Sequence, residues 1–219
     1  ITFRTFNGQE KNILVKWEDV RPDRACMTVA FWMNELIDIH VTVYEVFPIS
    51  TKCGILEMIP DTKTLYDVSK SSSLLNYILD KKPTMTIETL RESFVDSVVG
   101  ASMFAYTVGV GDRHLQNILI TTNAELVHVD FSFLLGKDPK GVNTPIRITK
   151  CMLDALGGKE SSTFKLFVIK CKHVYQDLRP YARFWKDLLQ ILEGDVVTHI
   201  MSRFIPGEWN SAANMQIET

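Results

Sequence analysis

The sequence has no long apolar run, no pair of closely spaced cysteines and no large surplus of either charge. Its longest stretch without a charged side chain, residues 97–111, falls well short of the ~20 apolar residues that a membrane-spanning helix needs. Cys26, Cys53, Cys151 and Cys171 are scattered with no CxxC spacing. That pattern predicts buried free thiols in a reducing compartment and argues against a disulfide framework. Cys171-Lys172-His173 has no second close pair to complete a metal site, so none is expected there. A formal net charge of -2 lacks the strong basic field that a nucleic-acid binder carries, so nucleic acid is not an expected partner. Residues 1–17 mix charges through their apolar positions where a secretory leader would have a basic start and an apolar block, so no leader is expected. There is no internal repeat, and the serine-rich stretch 69–73 reads as a loop. A cytoplasmic chain, soluble or peripheral at a membrane surface, is the expectation.

What is present suits a packed core. With 219 residues, 46% hydrophobic and 23% charged, the chain can fill one domain or two small lobes. Residues 1–17 alternate about an Asn7-Gly8 turn signal, which predicts a β-hairpin with Lys16 at the end of its second strand. From Asp23, just after Pro22, apolar residues recur at helical spacing through Ile37, predicting a helix of about four turns that ends near His40. Residues 41–47 and 54–59 read as a strand pair separated by Pro48-Ile49-Ser50-Thr51 and closed by Pro60-Asp61. Beyond Thr62 the helical period dominates: a short helix at Leu74–Leu79 and a long one over 87–108, whose Gly100, Ala101, Ser102 and Ala105 permit close packing. Strands are expected at 118–121 and 126–129, and helices at 163–178 and 182–192 on either side of Arg179-Pro180.

The chemistry concentrates between residues 109 and 133, where Asp112, His114, Asn117 and Asp130 lie close together. Taken singly, such residues suit a solvated, salt-bridged turn. Together they also match the needs of phosphoryl transfer: a carboxylate and an amide oxygen for Mg²⁺, an acid or base beside the attacking hydroxyl, and a cation such as Lys16 on the phosphates. A histidine suits the proton-transfer role because its ordinary pKa of about 6.5 lies near neutrality.

Gly111-Asp112-Arg113-His114-x-x-Asn117-Ile118, followed by His128-Val129-Asp130-Phe131, resembles the catalytic and metal-binding motifs of the phosphatidylinositol 3-/4-kinase superfamily. Ile13-Leu14-Val15-Lys16-Trp17 resembles its lysine strand, Val43-Tyr44 its pocket tyrosine, and Gly54-Ile55-Leu56-Glu57-Met58-Ile59 its hinge. Leu135-Gly136-Lys137-Asp138-Pro139-Lys140 and the spacing to Leu156-Gly157-Gly158 are most similar to class III phosphatidylinositol 3-kinases. The resemblance implies an α+β, protein-kinase-like two-lobed fold. It divides the chain into a reduced, β-rich N-lobe over 1–60, hinged near 57–60, and a helical C-lobe over 61–219. The C-lobe would hold a catalytic loop at 109–119 and an activation segment at 130–150. It implies ATP bound by Lys16, Asp23, Tyr44, Glu57, Ile59, Leu119 and Val129, and catalysis by Asp112 and His114. Asn117 and Asp130 would bind Mg²⁺, with Mn²⁺ as an alternative, and Lys137 and Lys140 would meet a phosphoinositide headgroup.

Departures from that pattern keep a second reading open. Ser132 stands where the family has glycine, and a side chain there restricts backbone angles that glycine allows. Gln116 replaces the acid usual before the asparagine. The phosphate-covering strand and loop ahead of Ile1, and the last membrane-facing helix, are expected to be absent. The resemblance thus supports a lipid kinase acting on phosphatidylinositol at a membrane, or alternatively a catalytically impaired pseudokinase serving as a scaffold or assembly subunit. In either case the open hairpin edge at residues 1–5 is expected to be covered by a protein partner.

Overall fold

The computed structural model describes residues 1–8, 10–139, 141, 146–190, 196–204 and 216–217. The chain opens with β1 (Thr2–Arg4) and β2 (Glu10–Lys16), followed by α1 (Arg21–Leu36), β3 (Val46–Ser50) and β4 (Cys53–Glu57). These strands form one antiparallel sheet in the order β1-β2-β4-β3, with Leu14 opposite Leu56 and Lys16 opposite Gly54. The hairpin is as the alternation predicts, and Lys16 is the last residue of β2.

The two neighbouring elements differ in their limits. Pro22 fits in the first turn of α1, where no N–H is required, so the helix starts ahead of Asp23. It stops at Leu36 because Ile37 turns extended, and Asn34 then clamps the returning chain through two 2.8 Å bonds to the backbone of Val41. Residues 41–45 run without a strand ladder, and β3 instead includes Pro48. Proline breaks a ladder that needs its N–H, but β3 is an edge strand, where a missing N–H goes unused.

The second sheet joins β5 (Thr62–Thr64), β6 (Ile118–Thr121) and β7 (Leu126–His128), all antiparallel. The helices are α2 (Leu65–Ser71), α3 (Leu74–Lys81), α4 (Ile87–Val108), α5 (Lys150–Ala155), α6 (Ser162–Leu178), α7 (Ala182–Leu189) and α8 (Val196–Arg203), with a 3₁₀ turn at Arg179–Tyr181 before α7; α2 and α4 pack against this sheet, α6 and α8 against α4, and α7 against α1 and α8. A short parallel pair, β8 (Arg147–Ile148) and β9 (Gln216–Ile217), completes the set. This is the expected α+β, kinase-like architecture.

Most of the stretch read as a serine loop is helical. Thr64 caps α2 by accepting from the Asp67 N–H at 3.0 Å, and the Ser69 and Ser71 hydroxyls bond back to the carbonyls of Tyr66 and Val68. The limits of α4 match the reading: Thr86 caps one end, and Gly109 closes the other in the left-handed conformation (φ 63°). This helix is buried along most of its length and supports β7, through Ser97 Oγ accepting from the Leu126 N–H at 2.6 Å and a 3.2 Å contact between His128 Nε2 and the Ala101 carbonyl.

Candidate active site

The loop after α4 is held by backbone pairing with the stretch after β7. Leu135 N–H donates to Val108, Gly136 N–H to Gly109 and Gly111 N–H to Phe133, at 3.1, 2.9 and 2.9 Å. A Cβ at Gly111 would lie 2.0 Å from the Lys137 carbonyl oxygen, so only glycine permits this approach. Arg113, nearly fully buried, ties the same segments together. Its guanidinium donates to the carbonyls of Gly111 (2.8 Å), Val129 (2.9 Å), Asn117 (3.3 Å) and Asp130, and lies over the Phe131 ring at 5.6 Å. Burial pushes its pKa down to about 10, which leaves it charged at neutral pH.

That framework sets out the polar groups. Asp112 has a left-handed backbone (φ 50°), and its N–H donates to Asp138 Oδ2 at 2.9 Å. Asn117 Nδ2 donates to the Asp112 carbonyl at 3.2 Å, which leaves the amide oxygen without a partner among the described residues. His114 Nδ1 accepts from the Gln116 N–H at 3.2 Å, so a neutral ring carries its proton on Nε2, 3.8 Å from Asp112 Oδ2. Asp130 is also left-handed (φ 62°), and its Oδ1 accepts from the Ser132 hydroxyl at 2.6 Å.

Between the two sheets lies a cavity of about 270 Å³ lined by Leu14, Lys16, Tyr44, Leu56, Glu57, Met58, Ile59, Thr62, Asn117, Leu119, Val129 and Asp130. Its walls are mostly apolar, with a few polar groups that include Lys16, Asn117 and Asp130, a pattern typical of small-molecule sites. Lys16 Nζ forms an ion pair with Glu18 at 2.7 Å. Burial works to lower the Lys16 pKa, but Glu18, Asp23 and Asp130 outweigh it and hold the ammonium above its ordinary value. Burial also raises the Asp130 pKa, which Ser132, Lys16 and Arg113 overcome to hold the carboxylate below its usual range. Asp23 is pushed up to about 6 by burial, against the pull of Lys16.

Lys16 Nζ, Asp23 Oδ1 and the Tyr44 hydroxyl are buried, and the geometry gives none of them an aligned hydrogen bond. Of these only Lys16 and Tyr44 line the cavity, and Lys16 has Glu18 beside it, so the Tyr44 hydroxyl is the polar atom that a ligand there would partner. Among the described residues no cluster of three or more His, Cys, Asp or Glu side chains could enclose a metal ion. The donor chemistry of Asp130 and Asn117, one carboxylate and one free amide oxygen in the cavity wall, is of the kind Mg²⁺ takes, with phosphates and water completing its shell.

Of the residues named from sequence, Lys16, Tyr44, Glu57, Ile59, Asn117, Leu119, Val129 and Asp130 all line the cavity. Asp23 lies behind the lining and acts on Lys16 by its charge. Asp112 and His114 are outside the lining, joined to it through Asn117. Lys137 is exposed beside the Gly111 turn, and Lys140 lies outside the described residues. The expected conflict at Ser132 does not arise, because its backbone is not left-handed. Leu14, Leu56, Met58 and Thr62 also line it and were missed. Leu14 was findable, since it precedes Lys16 by two positions and shares its strand face.

Residues 66–202 match the family described as phosphatidylinositol 3- and 4-kinase. The chain is 33% identical over 213 residues to a phosphatidylinositol 3-kinase, nodule isoform, of Glycine max, covering 92% of this chain and 26% of that protein. It is 32% identical over 214 residues to the phosphatidylinositol 3-kinase VPS34 of Arabidopsis thaliana, again 92% of this chain and 26% of the relative. With the VPS34 of Saccharomyces cerevisiae the identity is 30% over 204 residues, 88% of this chain and 23% of the relative. The chain thus spans about a quarter of the length of the curated relatives it matches. Matched over more than half its length, and with its cavity built on the motif residues, the chain belongs to the phosphatidylinositol 3- and 4-kinase family.

Proposed function

We propose that this chain binds ATP in the cavity between its sheets and transfers the γ-phosphoryl group to an inositol ring hydroxyl of phosphatidylinositol. The observation that carries this reading is that Lys16, Asn117 and Asp130 line one mostly apolar cavity, with the buried, unsatisfied Tyr44 hydroxyl also in its wall. The adenine would lie between Leu119 and Val129 and meet the backbone at Glu57 and Ile59, with Lys16 on the phosphates. Asp112 is the proton acceptor: as the hydroxyl oxygen bonds to the γ-phosphorus, the bond to the bridging oxygen breaks, ADP leaves and the hydroxyl proton passes to the Asp112 carboxylate. His114, with its proton on Nε2, donates a hydrogen bond to the oxygen charge that develops. A divalent cation on Asn117 and Asp130 would neutralise phosphate charge.

In this reading residues 1–60 are the N-lobe and 61–219 the C-lobe, with the catalytic loop at 109–119 and the activation segment at 130–150. Lys137 and Lys140 attract the lipid headgroup at a membrane surface, where the protein acts peripherally from the cytoplasm. No helix among the described residues is long and apolar enough to cross a membrane. A protein partner covers the open edge of β1.

The second reading, a scaffold with impaired catalysis, is favoured by the Ser132 hydroxyl bound to the carboxylate that would hold metal. Thermal stability with ATP, with Mg²⁺ and with both separates the two. A rise that needs both, absent in Asp130→Ala, followed by transfer of labelled phosphate to phosphatidylinositol, supports the kinase. A rise without transfer supports the scaffold, and no rise in the parent chain rejects the nucleotide site.

A further inference from the structure

We propose that Ser132 is a built-in competitor for the cation at Asp130, occupying a carboxylate oxygen that the metal would otherwise take. The inference rests on reading Asp130 as a metal ligand and adds a control that this reading does not contain. Asp130 Oδ1 receives two donors from the same residue, the Ser132 hydroxyl at 2.6 Å and the Ser132 N–H at 3.4 Å. Oδ2 accepts from no described residue. A donor proton and a metal ion draw on the same oxygen charge, so a cation at Oδ1 competes with the hydroxyl for it.

Ser132 is exposed, so the released hydroxyl can turn to water. It therefore acts as a competitor that weakens binding, without blocking the site. Its position carries no backbone demand either. The left-handed non-glycine residues of this stretch are Asp130 and Leu135, and Ser132 is not among them. Removing its hydroxyl can thus change the metal site while the loop stays as it is. The expected consequence is a site that takes a divalent cation poorly alone, and takes it well when nucleotide phosphates bring further oxygens.

The test compares the parent chain with Ser132→Ala and Ser132→Thr. Mg²⁺ is titrated at saturating ATP with thermal stabilisation as the readout, and Mn²⁺ binding without nucleotide is followed by electron paramagnetic resonance. Removing one hydrogen bond to a charged group at an exposed site should lower the half-saturating metal concentration about three- to tenfold in Ser132→Ala. Ser132→Thr, which keeps the hydroxyl, should match the parent, and ATP binding without metal should not change. Equal metal requirement in parent and Ser132→Ala overturns the proposal. A higher requirement in Ser132→Ala also overturns it and makes the hydroxyl a ligand. If neither chain binds metal with ATP, the nucleotide-site reading itself fails, and this inference falls with it.

Discussion

The Asp138 carboxylate accepts a hydrogen bond from the backbone N–H of Asp112 at 2.9 Å, across the turn where Gly111 meets the Lys137 carbonyl. Asp112 has φ 50°, a conformation that is uncommon outside glycine and persists only where the surroundings hold it. The stretch after β7 thereby fixes the backbone that aims the proposed proton acceptor.

Asp138→Ala should therefore slow phosphoryl transfer while leaving nucleotide binding intact. An N–H bond to a carboxylate contributes about 1.5–3 kcal/mol, enough for a rate loss of roughly tenfold or more when it sets geometry. Asp138→Asn keeps an acceptor oxygen and should retain most of the rate. Steady-state kinetics would show a lower kcat at unchanged half-saturating ATP, and equal loss of both would mean general damage to the fold.

Arg113 is expected to matter more for stability than for chemistry. Arg113→Met leaves several inward carbonyls without donors, and a cost of about 3 kcal/mol or more follows. Arg113→Lys should recover little, because a single ammonium cannot serve carbonyls that the planar fork reaches together. Urea unfolding midpoints measure both, and a Lys variant as stable as the parent would show that charge alone suffices.

These two predictions differ in how far sequence could anticipate them. The helical period places α4 over 87–108, and the short run at 118–121 reads as β6, both at their observed limits. Eight of the twelve residues lining the cavity are named through the family resemblance. What sequence did not carry were bonds between distant segments: Asp138 to Asp112, or His199 of α8 to the Thr107 carbonyl at 3.4 Å. A carboxylate or an imidazole has no sequence signature for the backbone group it meets after folding. The α2 serines misled for the opposite reason, since their turn preference yields once Thr64 caps a helix whose Leu65 and Val68 are buried.

Acid should weaken the fold through its buried histidines. Burial and the charge of Arg203 push the His199 pKa down to about 4, and burial and the charge of Arg113 push that of His128 down to about 3. Both stay neutral in the native state while the unfolded chain takes up protons near pH 6.5, so the stability present above that pH is lost as pH falls toward 4. Asp23, raised to about 6, acts in the opposite direction between about pH 4 and 6, because its native form binds the extra proton. The informative quantity is therefore the difference between the parent and His199→Gln, which retains a donor for Thr107. The variant should lose less stability between pH 6.5 and 4, by on the order of 2 kcal/mol. Parallel stability curves would show that His199 titrates normally.

Lys16 offers the sharpest separation of binding from folding. Its ammonium pairs with the half-exposed Glu18 at 2.7 Å and offsets the charges of Asp23 and Asp130 on its inner side. Lys16→Met removes the cation and leaves two carboxylates facing one another, so the variant should be less stable than the parent at neutral pH. The loss should shrink as pH falls, because Asp23, without Lys16 to hold its pKa down to about 6, takes up a proton more readily. Adding Asp23→Asn removes one of the opposed charges and should restore the stability, giving a double variant at least as stable as the parent. On the proposed function, ATP with Mg²⁺ should stabilise the parent and neither variant, since both lack the proposed phosphate partner. Melting temperatures with and without Mg-ATP at pH 5.5 and 8 test each step. A double variant that is restored in stability and still stabilised by ATP would remove Lys16 from the nucleotide site, and one that stays unstable would show that Asp23 packs for reasons other than charge.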